Sequence, residues 1–277
     1  GNDLLYLHRF ALTDNWPDQV TAIKETALFF QDKYKSDAAF AAQVDASVMR
    51  IIRMKLRLAQ PAVGPQSAEE MLSEVGQSTN VTRSVARSAL TLIYPGREEF
   101  ADRMPSAPLE NEKILIFTDA REVAECDDCE PRPVIAPNAL EQIILQLYGP
   151  AATGQINPAN IRSMTFTDLY RLFTAPEGES TAVESAIASS RWIIFAQLDQ
   201  QPADHPESMA LRNFLSRRSD SLRDKRLVVL GFRAPYYLDT TEISKLTAYF
   251  GVYGTTAPFL ETAVRALFRE FTPVGAP

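Results

Sequence analysis

Three observations predict an α/β fold, a three-layer α/β/α sandwich with a mainly parallel sheet. Strand-like apolar runs recur at 114–117, 163–166, 192–198 and 226–230, and helix-like segments at about 138–148, 180–190 and 206–220 separate them. Strands and helices alternating at this spacing build βαβ units with helices on both faces of the sheet. The second observation is the run Leu227, Val228, Val229 and Leu230. A strand with one wet face alternates apolar with polar residues, so an uninterrupted run belongs at the centre of a sheet covered on both sides. Finally, 277 residues with 45% hydrophobic content can fill one large core or two modest ones.

Taken in order, residues 4–7 read as a short strand. Asp14 or Asn15 can cap a helix whose first turn contains Pro17 and whose apolar residues Val20, Ile23, Ala27 and Phe30 follow helical spacing to about Tyr34. A second helix starts after Ser36 or Asp37 and places Phe40, Val44, Val48, Ile51, Met54 and Leu58 on one face. The two helices form a hairpin. Residues 59–66 hold two prolines and a glycine and are expected to be a linker, giving a first domain of 1–58 and a second of 67–277. In the second domain a helix over 67–88, interrupted near 76–80, precedes a strand at 90–93 that Pro95 and Gly96 stop. Residues 97–111 read as a loop. The last strand, 248–253, leads into a helix capped by Thr255 or Thr256 with Pro258 in its first turn.

Charge and composition exclude several functions. Against 28 Lys and Arg stand 35 Asp and Glu, a net charge of −7, and the basic residues form no stripe, so nucleic acid is not an expected partner. No apolar run reaches the roughly 20 residues that span a bilayer, so no membrane partner is expected either. No phosphate-cradling glycine loop occurs, which gives no reason to expect a nucleotide or any other cofactor. Cys126 and Cys129 are the two cysteines. Their spacing suits a loop disulfide or free thiols, a zinc half-site, or a redox dithiol. Zinc needs four ligands, and His8 and His205 lie far off in sequence, so no metal is expected; the acids Asp127 and Asp128 would weaken a redox role by raising the thiol pKa values. Asp204, His205 and Glu207 read as the capped start of a helix at Pro206, with a catalytic group as the competing reading.

Ligands of parallel sheets bind beyond the carboxyl ends of the strands. Asp119 and Arg121, Asp199, and Arg233 and Tyr236 all follow strand-like runs. These five are the candidate binding residues, and the sequence offers no catalytic residue.

Three stretches resemble family 3 glycoside hydrolases, most closely the bacterial β-N-acetylhexosaminidase branch. Gly1-Asn2-Asp3-Leu4-Leu5 is similar to the AGxD-apolar signature on the last strand of the family's barrel. Residues 23–58, with Phe29, Phe30, Lys33-Tyr34, Val44-Asp45 and the run from Ser47 to Lys55, resemble the helices that close the barrel and lead out of it. Val228 to Tyr237, with Tyr253 and the closing run Phe271-Thr272-Pro273-Val274-Gly275-Ala276-Pro277, resembles the second domain. The resemblance implies a remnant of a (β/α)8 barrel, one strand plus the helix hairpin, followed by a six-stranded α/β sandwich. It also implies that no residue here matches the family's nucleophilic aspartate, that Asp3 is structural, and that the missing barrel and a carbohydrate are the partners. A start without Met fits a cut through a larger protein. Retaining glycosidases use two carboxyl groups about 5 Å apart, and the chain offers no such pair. The expected role is therefore a non-catalytic accessory domain that lends loops 119–133, 199–206 and 232–237 to a substrate cleft. The alternatives are a stand-alone flavodoxin-like sugar- or anion-binding module anchored by Arg121 and Arg233, and a structural or interaction domain of a non-catalytic homologue.

Overall fold

A computed structural model of the chain describes residues 3–5, 10–12, 15–58, 72, 75–124, 126, 129–176, 178–218, 222 and 224–275. The chain divides into two compact units, Gly1–Val75 and Gly76–Pro277. The expected linker at 59–66 lies outside the described residues.

The first unit is the helix hairpin, α1 (Trp16–Ser36) and α2 (Ala38–Leu58). Asp37 makes the corner. Its backbone N–H donates to Lys33 O, closing α1, while its carboxylate accepts from the N–H groups of Ala39 (3.1 Å) and Phe40 (3.0 Å), opening α2. Those orphan amides hold its carboxyl below the usual range, the Phe40 bond most of all. Phe30 and Phe40 stack across the corner at 6.1 Å. Neither helix buries a residue within this unit.

Of the strand expected at 4–7, Leu4 and Leu5 are irregular, and Tyr6 and Leu7 lie outside the described residues, as do Gly1 and Asn2. A strand needs a neighbour for its backbone groups, and Leu4 and Leu5 pair with none among the described residues. Asp3 instead accepts hydrogen bonds from the Arg50 guanidinium and from Ser47 Oγ at 2.9 Å. These hold its carboxyl at about 2, with the Arg50 bond the larger cause.

The second unit is an α/β sandwich. Its six-stranded sheet consists of β1 (Thr91–Tyr94), β2 (Ile114–Thr118), β5 (Ile161–Thr165), β6 (Trp192–Gln197), β7 (Arg226–Gly231) and β8 (Ala248–Gly251), in the order β1-β8-β7-β6-β2-β5. All neighbours run parallel except β1 with β8. A two-stranded ribbon, β3 (Glu122–Val123) and β4 (Arg132–Pro133), stands apart.

Both faces of the sheet are covered, which explains why its central strands read as unbroken apolar runs. Ile114, Ile116, Ile194, Val228, Leu230 and Phe250 pack under α5 (Ala139–Tyr148) and α10 (Ala257–Leu267). Leu115, Phe117, Ile193, Phe195, Val229 and Tyr249 face the opposite layer, α6 (Phe166–Thr174), α7 (Thr181–Ser189) and α8 (Ala210–Arg217). Every residue of β6 is buried, and β7 is buried from Leu227 to Gly231.

The structure corrects several boundaries. The strand expected at 163–166 is β5, and Phe166 opens α6, which the sequence reading lacked. A capping box sets that switch: Asp168 N–H donates to Thr165 Oγ1 (3.1 Å) and Thr165 N–H donates to Asp168 Oδ2 (2.9 Å). The helix expected at 67–88 with a break near 76–80 has that break as a turn over 75–78, with Leu72 helical before it and α3 (Thr79–Ala89) after it, and the loop at 97–111 contains a single turn, α4 (Phe100–Arg103). A second capping box, Asp239 with Glu242, starts α9 (Thr240–Ile243). The last strand stops at Gly251, two residues before Tyr253, whose φ of 65° does not belong to a strand.

Candidate functional site at the carboxyl edge of the sheet

Strands β2, β6 and β7 end side by side, so the residues just beyond them meet although they are far apart in sequence. The extension of β2 continues in register, with Asp119 N–H donating to Ala196 O at 2.8 Å. This brings the Asp119 carboxylate against β6, where Oδ2 accepts from Leu198 N–H at 3.3 Å. Arg121 turns back onto it: Nε donates to Asp119 Oδ1 (3.0 Å) and Nη2 to Oδ2, a two-pronged pairing in which both side chains are 1% exposed.

The same guanidinium reaches the loop after β6. Nη1 donates to Asp199 Oδ1 (2.6 Å) and Nη2 to the Asp199 carbonyl (2.7 Å). The second carboxylate oxygen of Asp199 accepts from Arg233 Nη1 at 2.9 Å, on the loop after β7. Four of the five predicted residues thus form one chain of alternating charge, from buried Asp119 through Arg121 and Asp199 to Arg233. Burial works against the charge on Arg121, but its hydrogen bonds to Asp119 and the charges of both carboxylates outweigh that and leave the guanidinium above its ordinary pKa.

The fifth residue does not join the chain. Tyr236 is exposed, and the Tyr253 phenol beside it pushes its pKa up. Sequence reasoning did not assign Tyr253 or its neighbour Tyr237 to the site. The Tyr237 hydroxyl is buried without a hydrogen-bond partner among the described residues, and burial pushes it well above the ordinary phenol range. Two glycines make room for these rings. A Cβ on Gly231 would lie 2.9 Å from Pro235 Cβ and 3.2 Å from Tyr237 Oη, and one on Gly251 would lie 2.9 Å from the Cζ and Oη of Tyr253. A glycine ending each of two adjacent parallel strands, with Pro235 and tyrosines following, is the signal that would have found them.

The remaining candidates are settled locally. Cys126 and Cys129 form a disulfide in the loop between β3 and β4; Asp127 and Asp128 lie outside the described residues. Pro206 opens a 3-10 turn over Pro206–Met209 with His205 at its N-cap position. The His205 ring faces Glu207, with Nδ1 3.2 Å from Oε1, and makes no cap bond. Among the described residues no group of three or more His, Cys, Asp or Glu side chains is placed to hold a metal, and no helix is long and apolar enough to cross a membrane. His8 lies outside the described residues.

No protein-family model matches the sequence, and no curated protein matches it. Solved structures do. The chain is similar to a fungal multi-domain family 3 glycoside hydrolase, a β-N-acetylglucosaminidase, at 16% identity and a TM-score of 0.51, covering 94% of this chain and 26% of that one. It is also similar to a family 3 β-N-acetylglucosaminidase from a Paenibacillus strain (16% identity, TM-score 0.46, 85% and 39% covered). A β-glucoside phosphorylase is similar at 14% identity, with a TM-score of 0.49 and 95% and 42% covered. The chain therefore spans between 26% and 42% of the length of these proteins. At such identities the likeness is one of fold: this chain has the fold of part of a family 3 glycosidase.

Proposed function

We propose that the chain is the C-terminal region of a family 3 glycoside hydrolase-like protein acting on β-N-acetylhexosaminides, and that this region lines the substrate cleft without performing hydrolysis. The observation that carries the reading is the fold likeness to a β-N-acetylglucosaminidase, which takes in 94% of this chain and 26% of that one. The chemistry of the edge agrees with an accessory role. Retaining hydrolysis needs one carboxyl group free to attack and another free to give up a proton. Here Asp119 is 1% exposed and bound at both oxygens, and both oxygens of Asp199 are taken by Arg121 and Arg233. The partners in this reading are the protein's own barrel and a carbohydrate.

An anion-binding module anchored by Arg121 and Arg233 is less well supported. The Arg121 side chain is 1% exposed and directs its donors at Asp119 and Asp199, so only Arg233 remains to meet a ligand.

The test compares two proteins on nitrophenyl N-acetyl-β-glucosaminide: the purified 277-residue chain and the full product of its gene. Release of nitrophenol by the full product alone is the expected result. Turnover by the 277-residue chain itself would overturn the non-catalytic role, and silence from both would favour a structural domain of a non-catalytic homologue.

A further inference from the structure

We propose that Arg233, Tyr236 and Tyr253 form a subsite on which a neutral pyranose ring stacks, beyond the carboxyl ends of β7 and β8, and that the buried Asp119–Arg121–Asp199 chain positions its arginine. The proposal deepens the cleft-lining reading and rests on it.

Tyr236 and Tyr253 are the two exposed aromatic side chains among the described residues of the second unit, at 69% and 36%. They are not scattered: they come from loops after neighbouring strands that converge over Gly251, where a Cβ would lie 2.9 Å from Tyr253 Oη and 3.1 Å from Pro235 Cγ, next to Tyr236. Isolated exposed apolar residues are ordinary, whereas two exposed aromatic rings on converging loops at the ligand-binding edge of a parallel sheet form a surface with a shape.

That surface is built at a cost to the backbone. Tyr253 sits at φ 65°, a left-handed conformation that strains a bulky residue. Its ring lies against Gly251, where any Cβ would come within 2.9 Å of it. Packing that holds a strained aromatic half in solvent is the kind of feature that collects at ligand clamps.

The polar contact comes from Arg233. Its Nη1 is fixed on Asp199, which Arg121 fixes in turn, so the guanidinium is oriented before a ligand arrives. Its Nε and Nη2 have no partner among the described residues, and its side chain is 42% exposed. The charge chain sums to zero, two carboxylates against two guanidinium groups, so the exposed end offers directed donors without a surplus of positive charge. Hydroxyl and acetamide oxygens can accept from such donors without bringing in a charge that the neutral cluster would leave uncompensated. Aromatic faces suit the C–H face of a pyranose ring.

The experiment titrates the 277-residue chain with N,N′-diacetylchitobiose, following amide shifts and saturation transfer to the sugar protons by NMR, with inorganic phosphate as the anionic probe. Shifts confined to 232–237 and 252–254 are expected, with no competition from phosphate. Arg233→Ala and Tyr236→Ala, both in an exposed loop, should weaken binding about tenfold each, the loss of one charged or aromatic contact. Tyr253→Ala should do the same, with circular dichroism reporting the fold. Chitobiose shifts elsewhere on the chain, or binding that these variants leave unchanged, would overturn the subsite while leaving the nitrophenyl assay to decide the region's role. Competition by phosphate, or no binding at millimolar sugar, would also overturn it.

Discussion

Replacing Arg121 with Met tests the charge chain directly. Methionine keeps an unbranched apolar stem and removes the guanidinium with its five donors. Asp119, 1% exposed, would then keep a buried charge with only the Leu198 N–H at 3.3 Å to receive it. Breaking a buried ion pair by deleting one partner destabilises by about 3–5 kcal/mol. For a unit of this size each kcal/mol lowers Tm by about 2–4 °C, so a fall of about 6–20 °C is expected. Urea denaturation followed by the fluorescence of Trp192, fully buried on β6, reads the loss from within the unit. A buried pair is poorly screened, so the loss should persist at about 1 M salt, where the Debye length is only about 3 Å. The double variant Asp119→Leu with Arg121→Met should regain much of the stability, because no charge is then left unpaired. A loss of less than about 1 kcal/mol for Arg121→Met, the range of exposed pairs, would refute the reasoning, as would a double variant that merely sums the two single losses.

Two further predictions concern the region where the C-terminal segment meets β1 and α10. Gly275→Ala would place a Cβ 2.5 Å from Thr91 Oγ1 and 2.6 Å from Ala89 O, with backbone that cannot swing away, so a loss of about 1–3 kcal/mol in denaturation is expected and wild-type stability would contradict the contact. Glu270 is pushed up by burial, but hydrogen bonds from Tyr148 (2.6 Å) and Arg265 (2.8 Å) outweigh this and hold it below its ordinary value of 4.5. Its contribution to stability is therefore complete above that value and is lost as pH falls through the depressed one. Glu270→Gln should flatten the acid side of the stability profile, and a profile of unchanged slope would show that the carboxylate does not titrate with folding.

Much of the fold was legible because its signals are local. Leu227 to Leu230 could be recognised as buried strand since a sheet covered on both faces leaves no position for a polar residue. The hairpin helices followed from their 3.6-residue period, and the corner at Asp37 from an ordinary capping preference. The α6 start was equally local, yet Thr165 and Phe166 carry strand propensity, and that obscured the Thr165–Asp168 capping box. The disulfide was one of several readings that the Cys126–Cys129 spacing allowed.

What chain order could not convey is which strand lies beside which, and in what direction. Leu92 pairs with Phe250, 158 positions later and antiparallel, and nothing near either residue encodes that choice. The candidate site was legible only as positions: five polar or aromatic residues after strands. That Arg121 would bind Asp199, 78 residues on, and so become a buried support while Arg233 stayed half in solvent, follows from the order β7-β6-β2. Tyr253 entered only through the family resemblance and not as a site residue, because its left-handed backbone is no preference of tyrosine and its contact with Gly251 exists only in the fold. The amino-acid order by itself determined the layers and the buried strands, since each depends on hydrophobic period and residue type. Only the tertiary structure decided which charges cancel and which face water, because Coulomb interactions depend on separation in space and on burial, and neither is a function of separation along the chain.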